Sequence, residues 1–377
     1  MTGNNQPKSR RTFLKGGSIA AVGAAASVIA APRVVAQSPI VVKMQSSWPA
    51  SDAFQEMAAQ YVKLIEATSG GRLKIDLLPA GAVVGAFQVV DAVNDGVIDA
   101  AHTVPVYWYG KHKAASFFGT GPVFGGSATT MLAWFHSGGG KEFYRELTQD
   151  ILKLNIVGFM GFPMPAQPLG WFKNPITGPD QLKGLKYRSV GLAADLFQQM
   201  GMSVAQLPGG EIVPAMERGV IDAFEFNNPT SDMRFGAQDV AKNYSLGSYH
   251  QASECFEFQF NKDFFDDLEP DLQAILQHGV DAASSVNTYW ALKQYSDDLA
   301  KLQADHGVKV LRTSKELLEA QLVAWDKLIE QLNQDEFMKR IMESQKQFVE
   351  KVVFYEIMNA PDYVLAYNHY YPGKLAL

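Results

Sequence analysis

Ala92-Val93-Asn94-Asp95-Gly96-Val97-Ile98-Asp99-Ala100 recurs further along the chain as Ala215-Met216-Glu217-Arg218-Gly219-Val220-Ile221-Asp222-Ala223. Each copy reads as the end of a helix, a glycine able to take positive φ at the helix stop, and a short apolar strand. An apolar helical stretch precedes each one, Phe87 to Val93 and Ile212 to Met216. Two α/β lobes on one plan, with a pocket between them, would generate this repeat. A chance match of two helix–glycine–strand junctions is the bland alternative.

Upstream of the first copy, the pattern predicts a strand from Ile40 to Gln45 and a loop Ser46-Ser47-Trp48-Pro49. A helix from Ala53 to Thr68 follows, with Met57, Tyr61, Leu64 and Ile65 on its buried face. Gly70-Gly71 stops it before a strand from Leu73 to Leu78. The second lobe is expected to begin near Ile156, with a strand Lys186-Tyr187-Arg188-Ser189 and a helix from Ala193 to Met200 stopped by Gly201. Strands alternating with helices predict largely parallel pairing. The last third reads as helices from Leu268 to Gly279, Ala282 to Asp305 and Ser314 to Phe354. The expected division is lobe I at 37–155, with return segments from the C-terminal half, lobe II at 156–265, and a helical region at 266–377 packing on both.

The N-terminus carries Ser9-Arg10-Arg11-Thr12-Phe13-Leu14-Lys15, the pattern of a twin-arginine export signal. A short Ala- and Gly-rich apolar run from Ile19 to Ala31 follows, then Val34-Val35-Ala36 with small residues for cleavage after Ala36. That run is too short for a bilayer core of ~30 Å, which takes about 20 apolar residues. Residues 1–36 are therefore expected to be a signal peptide, and the mature protein to be soluble and periplasmic. The whole chain has 33 basic and 39 acidic residues and a formal charge of −6. The signal holds five of the basic residues and no acidic ones, so the mature chain keeps 28 against 39, near −11. Nucleic acid and anionic lipid are poor partners for such a surface. An anionic ligand would need local positive charge.

Cys255 is the only cysteine, which excludes an intrachain disulfide. No Cys-x-x-Cys or His-x-x-x-His spacing occurs, so no organic or soft-metal cofactor is visible. Catalysis finds little support. His102, His112, His136 and His250 could move protons, but there is no nucleophile elbow. Gly119-x-Gly121-x-x-x-Gly125 misses the dinucleotide spacing, and Gly138-Gly139-Gly140 lacks the Lys-Ser/Thr of a phosphate loop.

Six stretches together carry a family resemblance: Ala80-Gly81-Ala82-Val83-Val84-Gly85, Tyr107-Trp108-Tyr109-Gly110-Lys111, Gly138-Gly139-Gly140, Gly170-Trp171-Phe172, Asp180-Gln181-Leu182-Lys183-Gly184-Leu185-Lys186-Tyr187-Arg188 and Gly219-Val220-Ile221-Asp222-Ala223-Phe224-Glu225. Over roughly residues 40 to 360 the chain resembles the DctP-type solute-binding component of a tripartite ATP-independent periplasmic (TRAP) transporter, in the branch that binds 2-oxo acids and other monocarboxylates. The resemblance implies an α/β, two-lobe periplasmic-binding-protein fold with hinge strands, a long connecting helix and a helical C-terminal region. It implies capture of a small organic anion by lobe closure and delivery to the membrane permease, without enzymatic activity. A homodimer through the last helix is a further expectation. Ligand sensing for a membrane receptor and service to an ATP-driven importer are the alternatives.

By the same resemblance, Arg188 grips the ligand carboxylate, and a planar guanidinium can offer two parallel hydrogen bonds. A metal ion held by Gln167, Glu225 and the carbonyl of Phe226 is expected to bridge ligand and protein. These oxygen donors suit Na⁺ or Ca²⁺. Gln167, Tyr107, Trp48, Trp171 and Glu254 are expected to face the ligand. The chain departs from the branch at Ser248-Tyr249-His250-Gln251-Ala252-Ser253-Glu254, where relatives carry Pro-Gly-Trp, and at Phe226, where they carry Trp. His250 and Gln251 are further candidates. One ligand carboxylate and Glu225 against Arg188 leave a single negative charge, so Na⁺ is expected for a monoacid unless another carboxylate such as Glu254 approaches.

Overall fold

The structure, a computed structural model, describes residues 38–375. The residues of the expected export signal and its cleavage site lie outside it. Eleven strands form two sheets among the described residues. The first contains β1 (Ile40–Ser46), β2 (Leu73–Leu78), β3 (Ala100–Thr103), β4 (Ile156–Met164) and β10 (Glu254–Asn261), in the order β2-β1-β3-β10-β4. The second contains β5 (Gly170–Phe172), β6 (Lys186–Arg188), β7 (Ser203–Ala205), β8 (Ala223–Phe224), β9 (Asn243–Leu246) and β11 (Lys309–Arg312), in the order β11-β9-β5-β8-β6-β7.

Each copy of the repeat is a helix feeding a central strand. Val89–Asn94 leads to β3 and Ile212–Glu217 leads to β8. Gly96 and Gly219 take φ of 68° and 69°, the left-handed turn that side chains resist. Val42 and Met44 of β1 point into the first lobe's core, against Tyr61 and Ile65 of the Ala53–Thr68 helix. Leu169, Phe172, Tyr187 and Phe197 fill the second.

The pairing is mixed, not largely parallel. β10 runs antiparallel between β3 and β4, and β5 runs antiparallel between β8 and β9. The expected second lobe at 156–265 therefore begins and ends in strands of the first sheet. β4 and β10 are two of the chain's crossings, one outbound and one returning, and crossings in opposite directions pair antiparallel; the helices after β10 then lead on to β11 in the second sheet. Phe162 is an extra residue opposite β10, between Gly161 and Pro163, with φ 45°. Such a bulge bends the strand where it leaves the first lobe. The hydroxyl of Ser284 accepts the Phe162 backbone N–H at 2.6 Å.

Two helical expectations change. The stretches read as 268–279 and 282–305 form one helix, Pro270–Ala304, which contacts both lobes. Gly279 lies inside it because a Cβ there would meet Ile65 Cδ1 at 2.3 Å. The glycine permits close approach of two helices and does not end one. The third stretch splits into Lys315–Leu332 and Glu336–Asn359, with the Asp335 side chain capping the second helix at Met338 N.

Candidate functional site

Side chains alternate along β6, so Tyr187 fills the second lobe's core and Arg188 faces the boundary between lobes. Arg188 is buried, and its Nε donates to the Leu207 carbonyl at 2.8 Å. Its Nη1 donates to the Glu225 carbonyl at 2.9 Å and to Glu225 Oε1 at 3.0 Å. The register explains the pair: Arg188 lies opposite Phe224 of β8, and Glu225 is the next residue. With Nε and Nη1 engaged, the expected parallel fork is not free. Nη2 is the nitrogen without a hydrogen bond among the described residues, and Arg188 lines the cavity.

Across that cavity, Gln167 hangs from the loop between β4 and β5. Its backbone N–H donates to the Gln251 carbonyl at 3.0 Å. Its Nε2 donates to Glu254 Oε2 at 2.7 Å, and Asn227 Nδ2 donates to the same oxygen. Among the described residues Gln167 Oε1 and Glu225 Oε2 are buried without a hydrogen-bond partner in good geometry, the Ser189 hydroxyl lying near the Glu225 carboxyl. Burial pushes the Glu225 carboxyl up to about 7, with Arg188 pulling the other way. Burial also pushes Glu254 up to about 8, with Glu225's charge adding to the effect.

Trp48, Phe54, Tyr107 and Phe226 wall the cavity. The Trp48 indole donates to His102 Nδ1 at 2.8 Å, which fixes the ring. The Tyr107 hydroxyl makes no hydrogen bond among the described residues, and burial pushes its ionisation well up, so it stays a donor. The remaining space is about 10 Å³, roughly one water. The lobes are closed over it. Tyr109 and Lys113 of the first lobe reach Asp195 Oδ2 at 2.6 and 2.7 Å. On the other rim, Ser231 donates to Asp52 at 3.1 Å and Arg234 pairs with Glu56 at 3.0 Å. Larger cavities of about 240 and 470 Å³ lie elsewhere, with no buried ion pair among their linings.

The structure thus brings Arg188, Gln167, Tyr107, Trp48, Glu254 and Phe226 to one cavity, with Glu225 bonded to its arginine. It does not bring Trp171 there. That indole lies in the second lobe's core, donates to Asp232 at 2.8 Å and stacks on Tyr244 with centroids 4.2 Å apart. His250 also stays off the cavity. Its Nδ1 shares a hydrogen with Ser248 Oγ at 2.6 Å, and burial lowers its proton affinity to about 3. Gln251 acts through its backbone, as the acceptor that props Gln167. Asn227 was not foreseen; its position two residues after Glu225 was the available signal.

Buried oxygen acceptors with no donor are costly, so the orphaned Gln167 and Glu225 oxygens fit a bound cation. Among the described residues no three His, Cys, Asp or Glu side chains cluster. The available donors are amide and carboxylate oxygens, which suit hard cations.

Two α/β lobes closed over a buried guanidinium and unpaired oxygens define a hinged solute-binding protein. Residues 44–338 match bacterial extracellular solute-binding protein family 7, and the chain belongs to that family. It is a TRAP-type binding protein; such proteins are periplasmic and serve a membrane permease, a transport role. A monocarboxylate 2-oxoacid-binding periplasmic protein of Nostoc sp. is 31% identical over 324 residues, 85% of this chain and 87% of the relative. A TRAP solute-binding protein from Bordetella bronchiseptica, a dimer with copurified calcium and picolinate, superposes with TM-score 0.81 at 28% identity, covering 89% of this chain and 97% of the other. One from Pseudoalteromonas atlantica with bound sodium and pyruvate gives TM-score 0.80 at 28% identity, covering 88% and 99%.

Proposed function

We propose that this chain leaves the cytoplasm by the twin-arginine route, on Arg10 and Arg11, and captures a small 2-oxo or 2-hydroxy monocarboxylate for a TRAP permease. The observation that carries the ligand class is Arg188, buried on the same cavity as Gln167 with Nη2 left for an anion, while Gln167 Oε1 and Glu225 Oε2 are buried without a partner among the described residues. Arg188 binds the carboxylate through Nη2. Gln167, Glu225 and the Phe226 carbonyl hold a cation, Na⁺ or Ca²⁺. When bound, the cation supplies positive charge to the carboxylate and to the neighbouring oxygen of the acid. Tyr107 donates its hydroxyl to a ligand oxygen, and Trp48 closes the apolar side. Trp171 supports the lobe from behind. With room left for about one water, the closed cavity must widen to take any ligand, and the lobes must part for loading. The ligand is handed on unchanged, as the transport role requires.

Thermal melts of the mature protein against mono- and dicarboxylates test this. A true ligand at 100 Kd adds about 2.7 kcal/mol of stability. Stabilisation by sugars or dicarboxylates, with none by any short monocarboxylate, refutes it.

A second copy is proposed to cover the last helices. Phe354, Ile357 and Met358 of Glu336–Asn359, and Tyr363 and Leu365 of Tyr363–Tyr370, all stand exposed. So large an apolar face on a secreted protein calls for a partner.

A further inference from the structure

β4 is the outer strand of the first sheet, with β10 on one side and no strand on the other among the described residues. An open edge leaves backbone groups for whatever can pair with them. In an antiparallel pair, successive residues turn those groups alternately toward the partner strand and away from it. The Asn155 carbonyl, just before β4, accepts the Lys262 N–H beside β10 at 2.9 Å, so the odd-numbered residues pair inward. The even-numbered ones face outward. Gln149 Nε2 donates to the outward Ile156 carbonyl at 3.1 Å, and the Ser284 hydroxyl accepts the outward Phe162 N–H. Side chains therefore cap this edge at both ends and close it to a full added strand. Between the caps, the Gly158 N–H, the Gly158 carbonyl and the Met160 N–H have no hydrogen bond among the described residues.

A cavity of about 240 Å³ opens on that window, against the 10–15 Å³ or so that holds one water. Phe135, Phe159 and Val280 give it apolar walls, and Lys141 and Arg145 stand on its rim. Arg145 is paired with Asp150 at 3.0 Å. Asp281, the one acid on the lining, lies 3.9 Å from His136, which itself lies against the Met160 carbonyl. Lys141 has no salt bridge among the described residues. In a chain with a formal charge of −6, an unneutralised lysine beside an apolar cavity is the local attraction that an anion needs.

We propose that this cavity is a second ligand site, on the first lobe and outside the cleft, for an N-acylated apolar amino acid. The ligand class follows from what the window leaves unpaired. The amide N–H of such a molecule donates to the Gly158 carbonyl, and one of its oxygens accepts from the Gly158 N–H, as a single residue of an added strand would. Its carboxylate meets Lys141, and its side chain covers Phe159 and Val280. A longer peptide would run into the Gln149 and Ser284 caps. A free amino acid would bring an uncompensated ammonium to the apolar walls.

The probe is N-acetyl-L-phenylalanine, titrated into isotope-labelled mature protein with excess pyruvate present, and followed by the backbone amide and indole signals. The Gly158 amide signal should move downfield and saturate, as an N–H does when it gains an acceptor, while the Trp48 indole of the cleft stays put. Lys141→Gln, at an exposed position that leaves the fold intact, should weaken binding about 10-fold. The uncharged probe N-acetyl-L-phenylalaninamide should bind the wild type weaker by a similar factor. No saturable movement of Gly158 at millimolar probe overturns the assignment. So does binding that moves the Trp48 indole and leaves Gly158 where it was, and so does wild-type affinity in Lys141→Gln.

Discussion

Arg188→Lys keeps the positive charge and removes the geometry. The guanidinium reaches three places at once: the Leu207 carbonyl through Nε, Glu225 through Nη1, and the cavity through Nη2. A lysine ammonium is one atom and cannot span them. Held by the buried Glu225 carboxylate, it loses the ligand. A charge-assisted hydrogen bond contributes about 1.5–3 kcal/mol, so the Kd for pyruvate should rise roughly 10- to 150-fold. The Leu207 carbonyl loses its donor, at about 1 kcal/mol of stability. The fold survives because Glu225 keeps a countercharge. Arg188→Met, by contrast, strands Glu225 and should cost about 3–5 kcal/mol. Calorimetric titration with pyruvate at saturating CaCl₂, beside a circular-dichroism melt, measures both effects. A folded Arg188→Lys protein with unchanged Kd would remove Arg188 from the binding step.

Stability should also depend on pH through Glu257. Its carboxylate accepts from Trp108 at 3.0 Å, from Gln259 at 2.7 Å and from Tyr144. Burial nonetheless pushes it to about 7, from an ordinary value of 4.5. The folded state then binds more protons than the unfolded one between those values, so stability falls as pH rises from about 4.5 to about 7. The swing is on the order of 3 kcal/mol. Urea denaturation at pH 5 and pH 8 should show Glu257→Gln with that share of the slope removed; an unchanged slope counts against it. Asp195→Asn loses the partly exposed pair with Lys113, about 0.5–1 kcal/mol of closed-form stability. Ligand dissociation by stopped flow should quicken two- to five-fold with the association rate little changed, and an unaltered off-rate would exclude the contact as a latch. Replacing Phe354, Ile357 and Leu365 with serine should give monomers in sedimentation velocity and leave pyruvate affinity as it was. A dimer that persists places the interface elsewhere.

What was legible in the sequence was local. The 3.6-residue spacing of Met57, Tyr61 and Ile65 marks a helix whatever it packs on, and the Gly96 and Gly219 turns repeat because the backbone requires them. Arg188 was legible through the motif Asp180 to Arg188 that it ends; the strand Lys186-Tyr187-Arg188 by itself carries two cations and does not choose between them. Sheet membership was not. β4 is largely apolar and β10 alternates Phe256, Phe258 and Phe260 with Glu257, Gln259 and Asn261, patterns that would read the same in either sheet, and only long-range pairing assigns them to the first. Trp171 shows a similar limit. All of β5 is buried on both faces, so nothing in its pattern says which side meets the pocket. Gly279 resembles a helix stop until the partner helix is known. Glu254 was named as the residue that could upset the charge count, but its bond to Gln167 joins segments that no sequence spacing relates.

The Asp52 carboxylate caps the first helix at Phe54 N, and the same oxygen receives the Ser231 hydroxyl from the other lobe. When the lobes separate, the cap stays and a water can take the hydroxyl's place. Lys113–Asp195 and Arg234–Glu56 lie near enough to solvent for the same exchange. The clasp across the cleft is thus built from bonds that solvent can replace one for one, while the irreplaceable ones stay within a lobe. That gives the cycle reversibility: unloading strands no polar group of the clasp, and the emptied protein is ready for another round.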